Sequence, residues 1–235
     1  ADLLEDAWNG TGQFQGTEPI RGFGAVAGVY EEACQIVVRA DSEISTVEEL
    51  EGHRVSIGEE ESGTKQNALQ ILAAYGLNEK LVEEVSLNYT EAAKELENGT
   101  IDAFFCTAGV QTAAITNLAQ RTGIRFLNVD SAAAARLKKS YPVYDSCIIA
   151  AGTYPGQEED VSTVGVKAVL LASDSVSAEV VEELTALLFE EQQELDFALP
   201  VELITDADAA VAGISVPFHK GAERYYESRG EKSEN

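Results

Sequence analysis

Basic residues are scarce in this sequence: sixteen Lys and Arg stand against forty-one Asp and Glu, a formal net charge of -25 at pH 7 and a pI near 4.2. A nucleic-acid binder needs a basic footprint to neutralise phosphates, and an anionic lipid surface attracts the same charges, so both partner classes are disfavoured. Long apolar runs are missing too. Val166 to Ala172 is already broken by Lys167, far short of the ~20 residues a membrane helix requires. Cysteine is sparse, with Cys34, Cys106 and Cys147 far apart and in no CxxC pair, which argues for buried structural thiols rather than a metal or redox site. His53 and His219 are too few for a multi-histidine metal centre. No Walker-type loop, GxGxxG fingerprint or internal repeat is present, and residues 1–7 lack the charged and apolar regions of a signal peptide.

What is present is a composition for one or two packed domains, with 45% hydrophobic residues in 235. The excess acid reads as a solvated surface, or as adaptation to salty or alkaline surroundings in which counterions screen self-repulsion. Under the second reading the melting temperature rises from low to molar salt; an unchanged value excludes it.

The order of elements alternates. Turn residues at 9–12 precede strand-like runs at Gly24–Tyr30 and Gln35–Arg39. Ser45 and Glu48 have capping-box spacing before a short helix that Gly52 ends. A strand at Arg54–Gly58 leads through Glu59-Glu60-Glu61-Ser62-Gly63-Thr64 into a helix with Ala68, Ile71, Leu72 and Tyr75 at helical spacing. A strand at Val82–Tyr89, a helix capped by Thr90, and an apolar strand at Ile101–Cys106 follow. The last reads as a parallel strand buried on both faces. Helices over Ala113–Gln120 and Ser131–Lys139 flank a strand at Ile124–Val129. A long strand at Val161–Ala172 precedes a helix capped by Ser177, with Val181, Leu184, Leu188 and Leu195 on one face, and the polar end from Gly230 is expected to fray. This predicts an α/β fold with helices on both faces of a sheet.

In such sheets ligands bind beyond the carboxyl ends of strands, where helix starts offer free N–H groups. Ser62-Gly63-Thr64 and Ala108-Gly109-Val110-Gln111-Thr112 both fit that place, the first with hydroxyls and amides suited to a carboxylate, the second with small residues that admit a ligand to the backbone. On spacing alone each is equally an ordinary helix cap or strand-to-helix turn. No nucleophile and base stand out as a catalytic set, and Glu59, Glu60 and Glu61 read as a solvated charge run. No catalytic residue, metal ligand or cofactor is assigned.

Four segments taken together carry more: Gly58–Ala68 with Ser62-Gly63-Thr64 and Asn67; Phe104–Ile115; Ala151–Gln157; and Pro217–Tyr226. In that order they resemble the TAXI family, the TRAP-associated extracytoplasmic immunogenic proteins. The resemblance covers nearly the whole chain. It implies a type II periplasmic-binding-protein fold, two α/β lobes with a ligand cleft, and a receptor that hands a small carboxylate or amino acid, such as glutamate or glutamine, to the membrane subunits of a TRAP transporter. It implies an extracytoplasmic location, free or lipid-anchored, and a ligand set of Ser62, Gly63, Thr64, Asn67, Ala108, Gly109, Val110 and Thr112, with Tyr30 as a further contact. A signalling receptor or an enzyme on the same bilobal plan are the alternatives.

The departures from the family are specific. Glu59-Glu60-Glu61 stands where members carry a small Ala-Pro-Gly-like stretch, and an acid there opposes a carboxylate and favours an amine. Tyr30-Glu31-Glu32 replaces Tyr-Pro-Glu, and His219-Lys220-Gly221 replaces His-Pro-Gly. Members also begin with a Gly-rich strand-to-helix segment that nothing before Ala1 supplies. The expectation is therefore an N-terminally truncated chain: residues 1–40 and 165–235 as an incomplete first lobe, residues 41–164 as a second lobe.

Overall fold

A computed structural model describes residues 2–191 and 201–230. The strands are β1 (Phe23–Arg39), β2 (Arg54–Ser56), β3 (Glu83–Val85), β4 (Ala103–Ala108), β5 (Ile124–Phe126), β6 (Asp145–Ile149) and β7 (Val161–Ser173). The helices are α1 (Asp2–Asn9), α2 (Gly63–Ala74), α3 (Tyr89–Asn98), α4 (Ala113–Arg121), α5 (Ser131–Ser140), α6 (Ala178–Glu190), α7 (Ala207–Val211) and α8 (Lys220–Arg229). The fold class is α/β, as the alternation predicts. Compact units form from residues 32–166 and from residues 1–31 with 167–235, and both β1 and β7 run on from one unit into the other.

The sheet order is β3-β2-β4-β1-β7-β6, with β5 pairing β1 as well. Strand β2 is parallel to β3 and β4, while β1 is antiparallel to β4 and β5. The sheet is therefore mixed, and β4 is parallel on one side only. Its burial on both faces is real. Ala103 and Phe105 join Cys34, Ile36 and Val38 of β1 in one core, against α2 (Ala68, Ile71, Leu72) and α5 (Ala133, Leu137). Phe104 and Cys106 point the other way with Ala33 and Val37, against α3 (Ala92, Leu96) and α4 (Ile115, Leu118). Period-two alternation under a helix layer on each side is what fills residues 32–166.

Several expectations need correction. The runs at Gly24–Tyr30 and Gln35–Arg39 form one strand of 17 residues, because no Gly or Pro between them breaks it; only its burial lapses, over Val29–Glu32. Helix α3 is capped by Asn88, not Thr90. Asn88 Oδ1 accepts from Glu91 N at 2.9 Å and the Glu91 carboxylate accepts from Asn88 N at 3.3 Å, whereas a cap at Thr90 would place Ala93 at the third helical position with nothing to return. That early start shortens the preceding strand to Glu83–Val85. Near Ser45 the reciprocal acid is Glu49, which accepts from Ser45 N at 2.6 Å and Thr46 N at 3.2 Å over a 3-10 turn at Glu48–Leu50. Strand β6 was not among the expected elements.

In the unit of residues 1–31 and 167–235, Ala25, Val26, Val181, Phe218, Ala222 and Tyr226 share a core. Helix α8 lies so close to α6 that a Cβ on Gly221 would sit 2.3 Å from the Ala178 carbonyl oxygen. Helix α6 buries Val181 and half-buries Leu188, but Leu184 lies at the margin of that face, 39% exposed, beside exposed Val180 and Leu187, contrary to the expected single face. Leu195 and the end beyond Gly230 lie outside the described residues. Among the described residues no helix is long and apolar enough to cross a membrane.

Candidate functional site

Three connections leave the carboxyl ends of the parallel set β2, β3 and β4 and converge. After β2 the chain turns at Gly58, whose φ of +99° and missing side chain are both required: a Cβ there would lie 2.8 Å from Thr64 Cγ2. Ser62 then caps α2. Its Oγ accepts from Lys65 N at 3.1 Å and donates to the Glu59 carbonyl at 2.7 Å. The N–H groups of Gly63 and Thr64, in the first turn of α2, have no acceptor among the described residues.

The β3 connection contributes Tyr89, the first residue of α3. Its hydroxyl donates to the Thr107 carbonyl at 2.8 Å and lies 2.6 Å from Thr64 Oγ1. Thr107 N in turn donates to Thr64 Oγ1 at 3.4 Å, closing a cycle that joins the start of α2 to the end of β4. Burial pushes the Tyr89 hydroxyl pKa well above the ordinary tyrosine value.

From β4 the chain passes Ala108, Gly109 and Val110 to Thr112, the residue before α4. Thr112 Oγ1 donates to the Gly109 carbonyl at 2.8 Å. Gln35, buried in the middle of β1, donates from Nε2 to the Ala108 carbonyl and to Thr112 Oγ1, both at 3.4 Å. The Tyr154 hydroxyl accepts from Thr112 N at 3.1 Å and donates to Gln35 Oε1. Burial raises the Tyr154 pKa and pushes the Cys106 thiol up to about 12, so neither is ionised at neutral pH. Cys34 and Cys106 are buried outside any disulfide; Cys147 is half-buried.

A cleft of about 380 Å3 opens over the first two connections, lined by Glu59, Ser62, Thr64, Leu87, Asn88, Tyr89 and Thr90. A larger hollow of about 530 Å3 lies where β2 and β4 begin. Most of its charged walls are engaged with each other or with backbone: Arg39 with Asp41, His53 with Asp102 at 3.1 Å, Glu49 with Ser45 and Thr46. Among the described residues no group of His, Cys, Asp and Glu is disposed to hold a metal ion.

The expected ligand residues fall into four sets. Ser62, Gly63 and Thr64 stand together at the cleft, and Ala108, Gly109, Val110 and Thr112 form the neighbouring turn that Tyr89 and Thr107 connect to it. Asn67 is buried one turn further along α2, where Nδ2 donates to the Tyr144 hydroxyl at 2.7 Å, and that hydroxyl donates to Gln70 Oε1. Tyr30 belongs to the other unit and bridges Leu203. Tyr89, Tyr154 and Gln35 were missed by sequence reasoning. Gln35 alone left a signal, as a polar residue inside the apolar run of β1.

These features define an α/β chain with a polar cleft at the carboxyl ends of its parallel strands. A model of the NMT1-like family matches residues 1–230, and the chain belongs to that family. Among solved structures it is similar to the periplasmic aliphatic sulphonate binding protein SsuA from Escherichia coli, at 17% identity and TM-score 0.47, over 84% of this chain and 57% of that one. It is likewise similar to a TctC solute binding protein from Polaromonas, at 18% identity and TM-score 0.47 over 84% and 65%, and to an ancestral arginine-binding protein bound to glutamine, at 17% and 0.40 over 73% and 60%. The chain thus spans less than two thirds of the length of each.

Proposed function

We propose that this chain belongs to an extracytoplasmic solute receptor of the TAXI type, which binds a small carboxylate or an amino acid such as glutamate or glutamine and delivers it to the membrane subunits of a TRAP transporter. The carrying observation is the junction of two backbone-rich connections at the Tyr89 hydroxyl, beside a cleft where the Gly63 and Thr64 amides have no acceptor among the described residues. A helix start with open amides suits a carboxylate, and the hydroxyl cycle holds it in place before any ligand arrives. In this reading residues 41–164 are the second lobe, and residues 1–40 with 165–235 belong to the first.

A thermal-shift panel of amino acids and small carboxylates tests the reading. Binding stabilises by RT ln(1 + [L]/Kd), about 2.7 kcal/mol at a hundredfold excess over Kd. A saturable shift with one compound class, and no turnover of it, supports a receptor. No shift removes this ligand class; turnover moves the assignment to an enzyme.

A further inference from the structure

Resting on the receptor reading, we infer that the cleft selects an ammonium-bearing solute, an amino acid rather than a plain carboxylate, and that Glu59 supplies the selection. The argument follows the protons. Tyr89 has one hydroxyl proton, and it goes to the Thr107 carbonyl at 2.8 Å. The 2.6 Å contact between Tyr89 and Thr64 must therefore be donated by Thr64. Ser62 gives its proton to the Glu59 carbonyl. Three of the four hydroxyls that line the cleft, those of Ser62, Thr64 and Tyr89, thus turn their protons into the protein and face a ligand with lone pairs alone. Asn88 uses Oδ1 on Glu91 N, so the side-chain donors left in the lining are its amide NH2 and the hydroxyl of exposed Thr90.

Charge points the same way. Lys65, the basic residue next to the cleft, reaches to the Glu60 carboxylate, which Ser86 also holds at 2.7 Å; these two partners keep Glu60 below the usual carboxylate range. Glu59, which lines the cleft, has no ion pair or side-chain hydrogen bond among the described residues. The open Gly63 and Thr64 amides take a carboxylate, while the lone pairs and the one uncompensated carboxylate beside them complement a group that donates several hydrogen bonds and carries positive charge, so the two together fit an ammonium-bearing acid and not a plain carboxylate.

Titration calorimetry with L-glutamate and with glutarate, which lacks the ammonium, separates the two claims. It is run in about 1 M salt, where screening over about 3 Å suppresses the pull of the protein's overall charge. The inference expects L-glutamate to bind at least tenfold tighter than glutarate, Glu59→Gln to abolish that ratio, and Glu158→Gln, a charge removed elsewhere, to preserve it. Glutarate binding as tightly as L-glutamate, or a ratio unchanged in Glu59→Gln, overturns the inference and leaves the receptor standing. Binding of neither compound overturns both.

Discussion

Glu61 and Gln111 occupy matching places in the two connections: each has a left-handed backbone, with φ of 60° and 62°, and each lies two residues before the first residue of a helix. From there the connections differ. Ser62 caps α2 with its own side chain, whereas Thr112 makes no side-chain cap on α4 and is held instead by Gln35 and Tyr154, 77 and 42 residues away in sequence. One connection carries its own local cap, and the other has none and is suspended from distant strands and loops. Left-handed non-glycine residues cost of order 1–3 kcal/mol and persist where surroundings over-determine them. Here a short-range cap does that in one case and a long-range polar cluster in the other.

The largest effect should come from the locally capped side. Gly58→Ala forces a side chain onto a φ of +99° and into contact with Thr64, and is expected to cost about 2–4 kcal/mol in urea unfolding. Gly63→Ala, at a position with open space around it, should be neutral or slightly stabilising. A small cost at Gly58 would break the claim that this turn is closed by contact with Thr64.

On the suspended side, Tyr154→Phe leaves Gln35 Oε1 and Thr112 N without their partner and is expected to cost about 1–3 kcal/mol. Hydrogen exchange should quicken around Gly109–Thr112 and stay unchanged at the start of α2; equal quickening at both would show that the connections are not held independently.

Both tyrosines have raised folded-state pKa values, chiefly through burial, so the folded state favours the neutral phenol. An unfolded tyrosine ionises near pH 10. The stability they contribute is therefore complete below that pH and is lost as pH rises above it. The Tyr89→Phe, Tyr154→Phe double variant should show a shallower alkaline decline than the parent. A parallel decline would mean that other groups set the slope. The smallest effect is expected from Glu61→Gly and Gln111→Gly, each gaining about 0.5–1 kcal/mol as backbone strain is relieved and partly offset by unfolded-state entropy.

The same contrast sets how much could be read from the sequence. The Ser62 cap, the α/β alternation and the double-sided burial of β4 are local or periodic features, and spacing revealed them. Asn88 lay one reciprocal pairing away from the expected Thr90. The merging of two runs into β1, the antiparallel pairing of β1 with β4, and the Tyr89 and Tyr154 contacts depend on which distant segments meet, and no spacing rule encodes that. The polarity of the cleft was half visible: Glu59 to Glu61 could be seen to bring acid to the loop, but not that Glu60 would be taken up by Lys65 while Glu59 was left facing the cleft.

The central claim, that these two connections together form the solute site, is tested most directly by hydrogen exchange resolved along the chain, with and without a saturating solute taken from the thermal-shift panel. The account predicts slowed exchange confined in this unit to residues 58–65, 87–90 and 107–112. Measured binding without protection at any of these stretches, or with protection centred on the hollow beside His53 and Asp102, would contradict it.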